Sequence, residues 1–337
     1  MCVIDAMAPV VDREGMAAHH VVVPVFDGVQ PLDVTGPHEV FMTATALLGE
    51  GGYRVSLVAT SSEPVSSAGG LRFLPDGPLP ADGFDTVLVP GGAGARRIGP
   101  EHPMVTWLRI AAPAADRVMS VCTGAFVLAA AGLLDGLPVT THWGYARALA
   151  SAHPAVDVHA DAIWLRSGRV WTSAGVTAGI DLALAVVEAD HGAGLAQQIA
   201  RQLVVFLRRP GGQSQFAGPV WTAPARQPSI RAAQELIHAD PSADLRVPVL
   251  AGRVGMSERH FSREFNRALG STPGGYVEQV RVDEARRLLE TEPVLISVAA
   301  TRCGFGSAET MRKAFLRRVG VAPDHYRRRF AVAPTGG

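Results

Sequence analysis

Short runs of consecutive apolar residues mark the first two thirds of the chain. Residues 20–26, His-Val-Val-Val-Pro-Val-Phe, are echoed at Tyr53–Val58, Thr86–Pro90 and Arg117–Val121. Each run ends in glycine or polar loop residues, and several lead into helix-like stretches such as Pro103–Ala112 and Ala125–Leu134. A strand that is apolar throughout must be covered on both faces. Such strands alternating with helices predict an α/β domain, a flavodoxin-like parallel sheet with helices on both faces. Sites in sheets of this kind form at the C-terminal ends of the strands.

The pattern breaks over residues 208–228, RRPGGQSQFAGPVWTAPARQP, which have neither helical nor strand period. Their proline, glycine and polar content reads as an interdomain linker. After it the spacing is helical, with turns at glycine and proline. The expected division is an α/β domain over 20–207, the linker over 208–228 and an all-α domain over 229–330.

The all-α region contains a repeat. Ala251, Gly255 and Met256 recur as Ala300, Gly304 and Phe305, and Phe265, Gly270, Pro273 and Tyr276 recur as Phe315, Gly320, Pro323 and Tyr326. Each copy predicts a short helix of small residues and a turn at Gly255 or Gly304, where a left-handed backbone is needed. Ser257 or Ser307 then caps a second helix. On that helix Phe261, Phe265 and Leu269, or Met311, Phe315 and Val319, share an inward face. The outward face carries Arg259, Ser262, Arg263 and Asn266 in the first copy and Glu309, Arg312 and Lys313 in the second. This is a helix-turn-helix with a polar reading face, present twice. A long helix over Thr272–Glu290 separates the copies, with Val277, Val280, Ala285, Leu288 and Leu289 as its apolar side.

Charge sharpens this division. Residues 1–224 carry 13 basic and 19 acidic side chains, whereas residues 225–337 carry 18 basic and 12 acidic, so a net charge of zero hides a basic C-terminal domain. That asymmetry suits a DNA-binding module attached to a sensing or assembly domain. Lys313 is the only lysine, a bias that a GC-rich genome explains without any selection for phosphate binding. Three dispersed cysteines, Cys2, Cys122 and Cys303, suggest neither a disulfide framework nor a zinc cluster, and no metal or cofactor is expected. No apolar run approaches the ~18 residues of a membrane span. The first 18 residues lack the plan of a secretion signal, so a loose N-terminal extension and a cytoplasmic location are expected.

One further constellation carries chemistry. Residues 117–134 read strand, tight turn, helix, with Cys122 at the turn and Gly124 behind it. A thiol at a helix N-terminus is expected to have a lowered pKa. Asp33 and His142 stand at other strand ends, so the three could form a thiol site. The plainer alternative has Cys122 as a small residue at a tight turn, His142 as a hydrogen-bonded structural histidine and Asp33 as the cap of a helix from about Pro37.

Residues 229–330 resemble the DNA-binding domain of the AraC/XylS family. The closing G-x-x-P-x-x-Y-R pattern falls on Gly320, Pro323, Tyr326 and Arg327, whereas the first copy departs from it with Val277 after its tyrosine. The resemblance implies base contacts from Arg259, Ser262 and Arg263 in the first unit, and from Ala308, Glu309, Arg312 and Lys313 in the second. Glu309 could instead orient a neighbouring arginine. Residues 20–206 resemble the DJ-1/PfpI, or class I glutamine amidotransferase-like, superfamily through FDGVQPLDVTGPHEVF, VPGGAG, SVCTGAFVLAAAGLLDG, TTHW and TSAGVTAGIDLAL. Isocyanide hydratases of that superfamily use a cysteine and an aspartate in the settings of Cys122 and Asp33, and some members place a histidine at the position of His142. The two domain types occur fused in one group of transcription regulators. The resemblance therefore implies a regulator that binds double-stranded DNA, with an N-terminal domain for homodimerisation or effector sensing. A small-molecule effector and RNA polymerase are further candidate partners. The competing readings are a Cys122-dependent hydratase or amidase and a thiol-based redox or electrophile sensor.

Overall fold

The computed structural model describes residues 18–49, 51–209, 211–216 and 225–331. The expected N-terminal extension, apart from residue 18, and residues 210 and 217–224 of the expected linker lie outside the described residues. The chain divides into two compact units, Met1–Arg209 and Pro210–Gly337.

The first unit is built on a seven-stranded sheet. Its strands are β1 (His19–Pro24), β2 (Tyr53–Ala59), β3 (Gly77–Pro78), β4 (Thr86–Val89), β5 (Arg117–Val121), β6 (Trp164–Ser167) and β7 (Val170–Ser173). They lie in the order β6-β7-β5-β4-β1-β2-β3. Every pairing is parallel except β6 with β7, a hairpin at one edge. Val21 of β1 pairs with Val55 on one side and Thr86 on the other. The consecutive apolar residues are explained by this placement: Val21, Val22, Val87, Leu88, Val118 and Met119 are fully buried. The helices are α1 (Pro31–Leu48), α2 (Pro103–Ala111), α3 (Gly124–Ala130), α4 (Trp143–Ala152), α5 (Ala178–His191) and α6 (Ala193–Gln202). The α1 helix begins at Pro31, not near Pro37, so Asp33 sits in its first turn and does not cap a later helix. Pro31 suits an N-terminal turn because the amide it lacks has no intrahelical acceptor there.

The second unit is all helical: α7 (Pro228–Ala239), α8 (Val247–Arg253), α9 (Glu258–Leu269), α10 (Pro273–Thr291), α11 (Ile296–Arg302), α12 (Ala308–Arg318) and α13 (Pro323–Phe330). It has two small cores that share one spine. The N-terminal end of α10 gives Tyr276 and Val277 to the core of Ile230, Ile237, Leu250, Phe261 and Phe265. Further along, its Val282, Ala285, Leu288 and Leu289 join Met311, Phe315 and Tyr326. Gly255 and Gly304 take φ of +68° and +77°, the left-handed backbone their turns require. The caps differ between copies. Ser307 accepts from the Thr310 amide at 3.1 Å, whereas Ser257 makes no side-chain cap bond. The extra residue in the second turn leaves Ser307 fully extended (φ −161°), against −67° for Ser257.

The repeated tyrosines are polar clamps inside these cores. The Tyr276 hydroxyl meets Gln234 Nε2 at 3.2 Å and His238 Nε2 at 2.8 Å, both on α7. The Tyr326 hydroxyl accepts from Arg286 Nε at 3.0 Å and donates to Glu290, both on α10. Each clamp therefore grips residues one helical turn apart on the helix that opens its copy, and the repeat begins a helix earlier than the matching residues suggest. The ordered structure also enters the 208–228 stretch from both sides. Arg208 and Arg209 pair with Glu188 and Asp181 of the first unit. Gln215 accepts from Arg286 through its backbone (3.3 Å) and from Arg329 through its side chain (3.1 Å) in the second.

Replacing Tyr326 by Phe strips Arg286 and Glu290 of a shared partner inside a core. The expected cost is about 1–3 kcal/mol. Amide hydrogen exchange should accelerate in α10 and α13 while α7 to α9 keep their protection, and uniform protection in the variant would contradict the clamp.

Candidate functional site

The two second helices of the repeats present the expected polar faces. On α9, Phe261 and Phe265 are fully buried while Arg259, Arg263 and Asn266 are exposed and Ser262 is half-buried. Arg259 and Arg263 lie one turn apart. Arg263 bonds His260 Nδ1 at 2.9 Å and touches the buried Glu264 carboxylate at 3.4 Å, yet its side chain is 67% exposed. Arg259 has no ion-pair partner among the described residues. On α12, Met311 and Phe315 are buried, Ala308 is half-buried, and Glu309, Arg312 and Lys313 are exposed. Here Glu309 accepts from Arg312 Nε and Nη2 at 2.7 and 2.8 Å, and Lys313 Nζ stands 3.9 Å away. Glu309 thus orients its neighbouring arginine, and its own pKa is held down chiefly by that hydrogen bond. The first face offers its guanidinium groups to solvent; the second half-neutralises its own.

In the first unit Cys122 follows β5 directly and takes a φ of +56°, unusual for a residue with a side chain. Its amide donates to the carbonyls of Ser173 (3.2 Å) and Ala174 (3.0 Å). Its carbonyl accepts from the Thr141 hydroxyl at 2.6 Å. Behind it, a Cβ at Gly124 would stand 2.2 Å from the Val89 carbonyl oxygen, so glycine is required there. Val176, facing the same turn, also has a positive φ of +47°. Two strained residues flanking one point are held by the surrounding structure at a local cost.

Asp33 is fully buried beside this turn. Its Oδ2 accepts from the Gly91 amide at 2.8 Å, and its Oδ1 has no partner in hydrogen-bonding geometry. Gly91 is squeezed between the two: a Cβ there would lie 2.6 Å from the Thr123 amide and 2.7 Å from Asp33 Oδ2. Thr123 closes the loop by accepting from the Gly92 amide (2.9 Å) and donating to its carbonyl (3.0 Å). The glycines of VPGGAG are there to let this loop pass. Burial pushes the Asp33 carboxyl up to about 7, against the lowering effect of the Gly91 amide and of the Cys122 thiol beside it.

The expected thiolate is not what this setting makes. Burial and then the Asp33 charge push the Cys122 thiol up to about 12, outweighing the amides of Val176 and Thr123 that favour the anion. Exclusion of water costs the charged form more than the amides of the two loops that meet at the turn return.

His142 caps α4, its Nδ1 accepting from the Gly144 amide at 3.0 Å, and its ring lies against Gly175 and Trp143. It bonds neither Cys122 nor Asp33. The structure therefore joins Cys122 with Asp33 and leaves His142 as the hydrogen-bonded histidine of the plainer alternative. Thr123, Thr141 and Val176, none singled out from the sequence, complete the surroundings; the second threonine of TTHW was the available signal. Among the described residues no group of three or more His, Cys, Asp or Glu is arranged for a metal, and no helix is long and apolar enough to cross a membrane.

Comparison with known proteins gives both halves relatives. Residues 19–189 match the DJ-1/PfpI family, and residues 250–329 match a helix-turn-helix domain. An HTH-type transcriptional regulator of Mycobacterium tuberculosis is 36% identical over 265 residues, covering 75% of this chain and 98% of that protein. An isonitrile hydratase of Pseudomonas putida is 37% identical over 184 residues, covering 53% of this chain and 75% of that one. A solved THiJ/PfpI family protein from Pseudomonas syringae is similar with a TM-score of 0.53 at 25% identity, over 70% of this chain and 93% of its own.

Two measurements check the thiol site. Alkylation of Cys122 by iodoacetamide near neutral pH, followed on its peptide by mass spectrometry, should run more than about tenfold slower than for free cysteine. Asp33 binds its proton more tightly folded than unfolded. Its contribution to stability is present below its ordinary value of 3.8 and is lost as pH rises through about 7. Between those limits wild type should lose on the order of 4 kcal/mol relative to Asp33→Asn, read by urea unfolding with tryptophan fluorescence. Parallel pH profiles for the two proteins would exclude the shift.

Proposed function

This chain belongs to the DJ-1/PfpI family and carries an AraC-type helix-turn-helix domain, and from that premise we propose that it is a sequence-specific DNA-binding transcription regulator. The observation that carries the reading is the pair of helices α9 and α12, each with a buried apolar face and an exposed polar one, on either side of a rigid spine. With 19 residues, α10 is roughly 28 Å long. That approaches the ~34 Å repeat of B-DNA, so the two units suit successive major grooves on one face of a duplex.

In this reading Arg259 and Arg263 approach guanine edges, with Ser262 and Asn266 beside them, because an exposed guanidinium pairs with guanine through two bonds. The second unit contributes Ala308, Glu309, Arg312 and Lys313. There Arg312 is already committed to Glu309, so sequence discrimination rests more on the first unit. The N-terminal unit serves for homodimerisation and effector sensing in the cytoplasm. A dimer doubles the number of reading helices and raises affinity through effective concentration. RNA polymerase is the further partner of a regulator bound beside a promoter.

The chain acts as a regulator and not as an enzyme. The isonitrile hydratase relative favours one narrower second reading, a residual activity in which Asp33 takes the Cys122 proton. A resting thiol with a raised pKa speaks against a sensor triggered by mild oxidation, since the thiolate is the reactive form.

Arg263→Ala and Arg259→Ala should each weaken binding to a duplex selected from random sequence by about 1–3 kcal/mol, and relax preference at one base position. Arg312→Ala should lose less. Binding titrations on selected and scrambled duplexes decide the matter: equal weakening on both means that the arginine holds phosphate and does not read sequence.

A further inference from the structure

A second concavity lies at the C-terminal edge of the first unit's sheet, separate from Cys122. It is enclosed by the loops that follow β1 and β2 and by the turn after β4. In the sheet order β1 has β2 on one side and β4 on the other, so the chain's progression reverses here. Crevices at such reversals are where open α/β sheets take ligands.

The lining is of two kinds. Phe26 and Ile98 are buried and form an apolar floor. Asp27, Glu63 and Arg97 are exposed at the rim, with His102 beside them. Arg97 makes no ion pair among the described residues, although two carboxylates line the same cavity. Its Nη2 instead lies over Gly28, 3.0 Å from where a Cβ would stand. Asp27 has its Oδ1 tied to the Ser66 amide at 2.9 Å, which leaves Oδ2 open. His102 Nδ1 accepts from the Met104 amide at 3.2 Å, so a neutral ring carries its proton on Nε2.

A simple anion would satisfy Arg97 but face the carboxylates of Asp27 and Glu63. A simple cation would meet the carboxylates and leave Arg97 unanswered. A molecule bearing both charges on a short apolar body satisfies all three and covers the floor. We propose that this cavity binds a small aliphatic zwitterion, its carboxylate on Arg97, its ammonium group toward Asp27 and Glu63, and its chain over Phe26 and Ile98. Its role as the effector site rests on the regulator reading; the binding itself does not. The loops concerned also hold the Cys122 site. Gly94 donates to the Gly28 carbonyl at 3.1 Å, and Gln30 donates at 2.8 Å to the carbonyl of Gly91, whose own amide holds Asp33. Occupancy of the cavity is thereby felt at the buried Asp33.

The test is calorimetric titration of the full chain with 4-aminobutyrate, and with butyrate and butylammonium as single-charge probes. Saturable binding of 4-aminobutyrate is expected, weaker by about tenfold or more for either single-charge probe and for 4-aminobutyrate with Arg97→Gln. No saturable heat up to about 10 mM, where a millimolar ligand would saturate, overturns the proposal. So does binding that ignores Arg97→Gln, or that follows one charge alone. DNA binding of the same preparation is measured separately: a missing ligand with intact DNA binding sinks the site alone, and missing DNA binding sinks the regulator reading while the titration stands.

Discussion

The helices that open and close each helix-turn-helix copy are tied together by two buried phenol hydroxyls, whose rings pack against the second helices through Phe265 and Phe315. An apolar core is non-directional and tolerates small rotations, whereas a hydrogen bond inside it does not. Tyr276 and Tyr326 each close a helix-turn-helix against the helix that opens it, through Gln234 and His238 in one copy and Arg286 and Glu290 in the other. Because α10 is clamped by its own Tyr276 at one end and clamps Tyr326 at the other, the two copies share a fixed spine. Under the proposed reading, the exposed arginines of α9 depend on a helix seated by its packing on this spine, through Phe265 against Tyr276. The same spine explains the short interval between the repeats, since one helix closes the first copy and opens the second.

The first unit is governed by exclusion of water. A turn of nearly the same plan in an open cleft would yield a reactive thiolate. Here the strained Cys122 turn, the Gly91–Gly92 loop and the first turn of α1 close on one another until Asp33 is fully buried. A buried carboxyl and a buried thiol then favour their neutral forms, and a charge on either discourages a charge on the other. The result is a thiol and a carboxyl, both shifted toward their neutral forms, packed side by side at the C-terminal end of the sheet.

Much of the fold was legible because its signals are periodic or repeated. The strands β1, β2, β4 and β5 announced themselves as apolar runs, and the doubled turn glycines and Gly-x-x-Pro-x-x-Tyr endings exposed the helix-turn-helix pair. The hairpin of β6 and β7 was not legible, since Trp164–Ser167 is half-exposed and lacks such a run. The first helix of each copy was missed as part of the repeat because Gln234 and His238 correspond to Arg286 and Glu290, residues alike in position and unlike in chemistry. At the thiol site the participants could be named, but not their state. Cys122 and Asp33 come together as the motifs implied, His142 does not join them, and the direction of the thiol's pKa reversed. Burial is a property of the closed loops and leaves no mark on the local sequence.

The difference between the two reading faces follows from a single residue. Position for position, Glu309 and Lys313 stand where Arg259 and Arg263 stand on α9, and Arg312 where Ser262 stands, so each outer face carries two cations but only the second sets a carboxylate among them. Glu309 lowers the effective charge there by engaging Arg312 through two short bonds. To meet a base, that arginine must give up a partner it already has, and the gain from a guanine contact is offset by what is lost. To meet a phosphate it need only keep its place, since the field of Arg312 and Lys313 still exceeds that of one carboxylate. Under the proposed reading, one strongly reading helix and one self-neutralised helix both add affinity while sequence demand on the second half-site stays limited. The shared spine suits this arrangement, because a first helix seated in its groove would bring the second to the next.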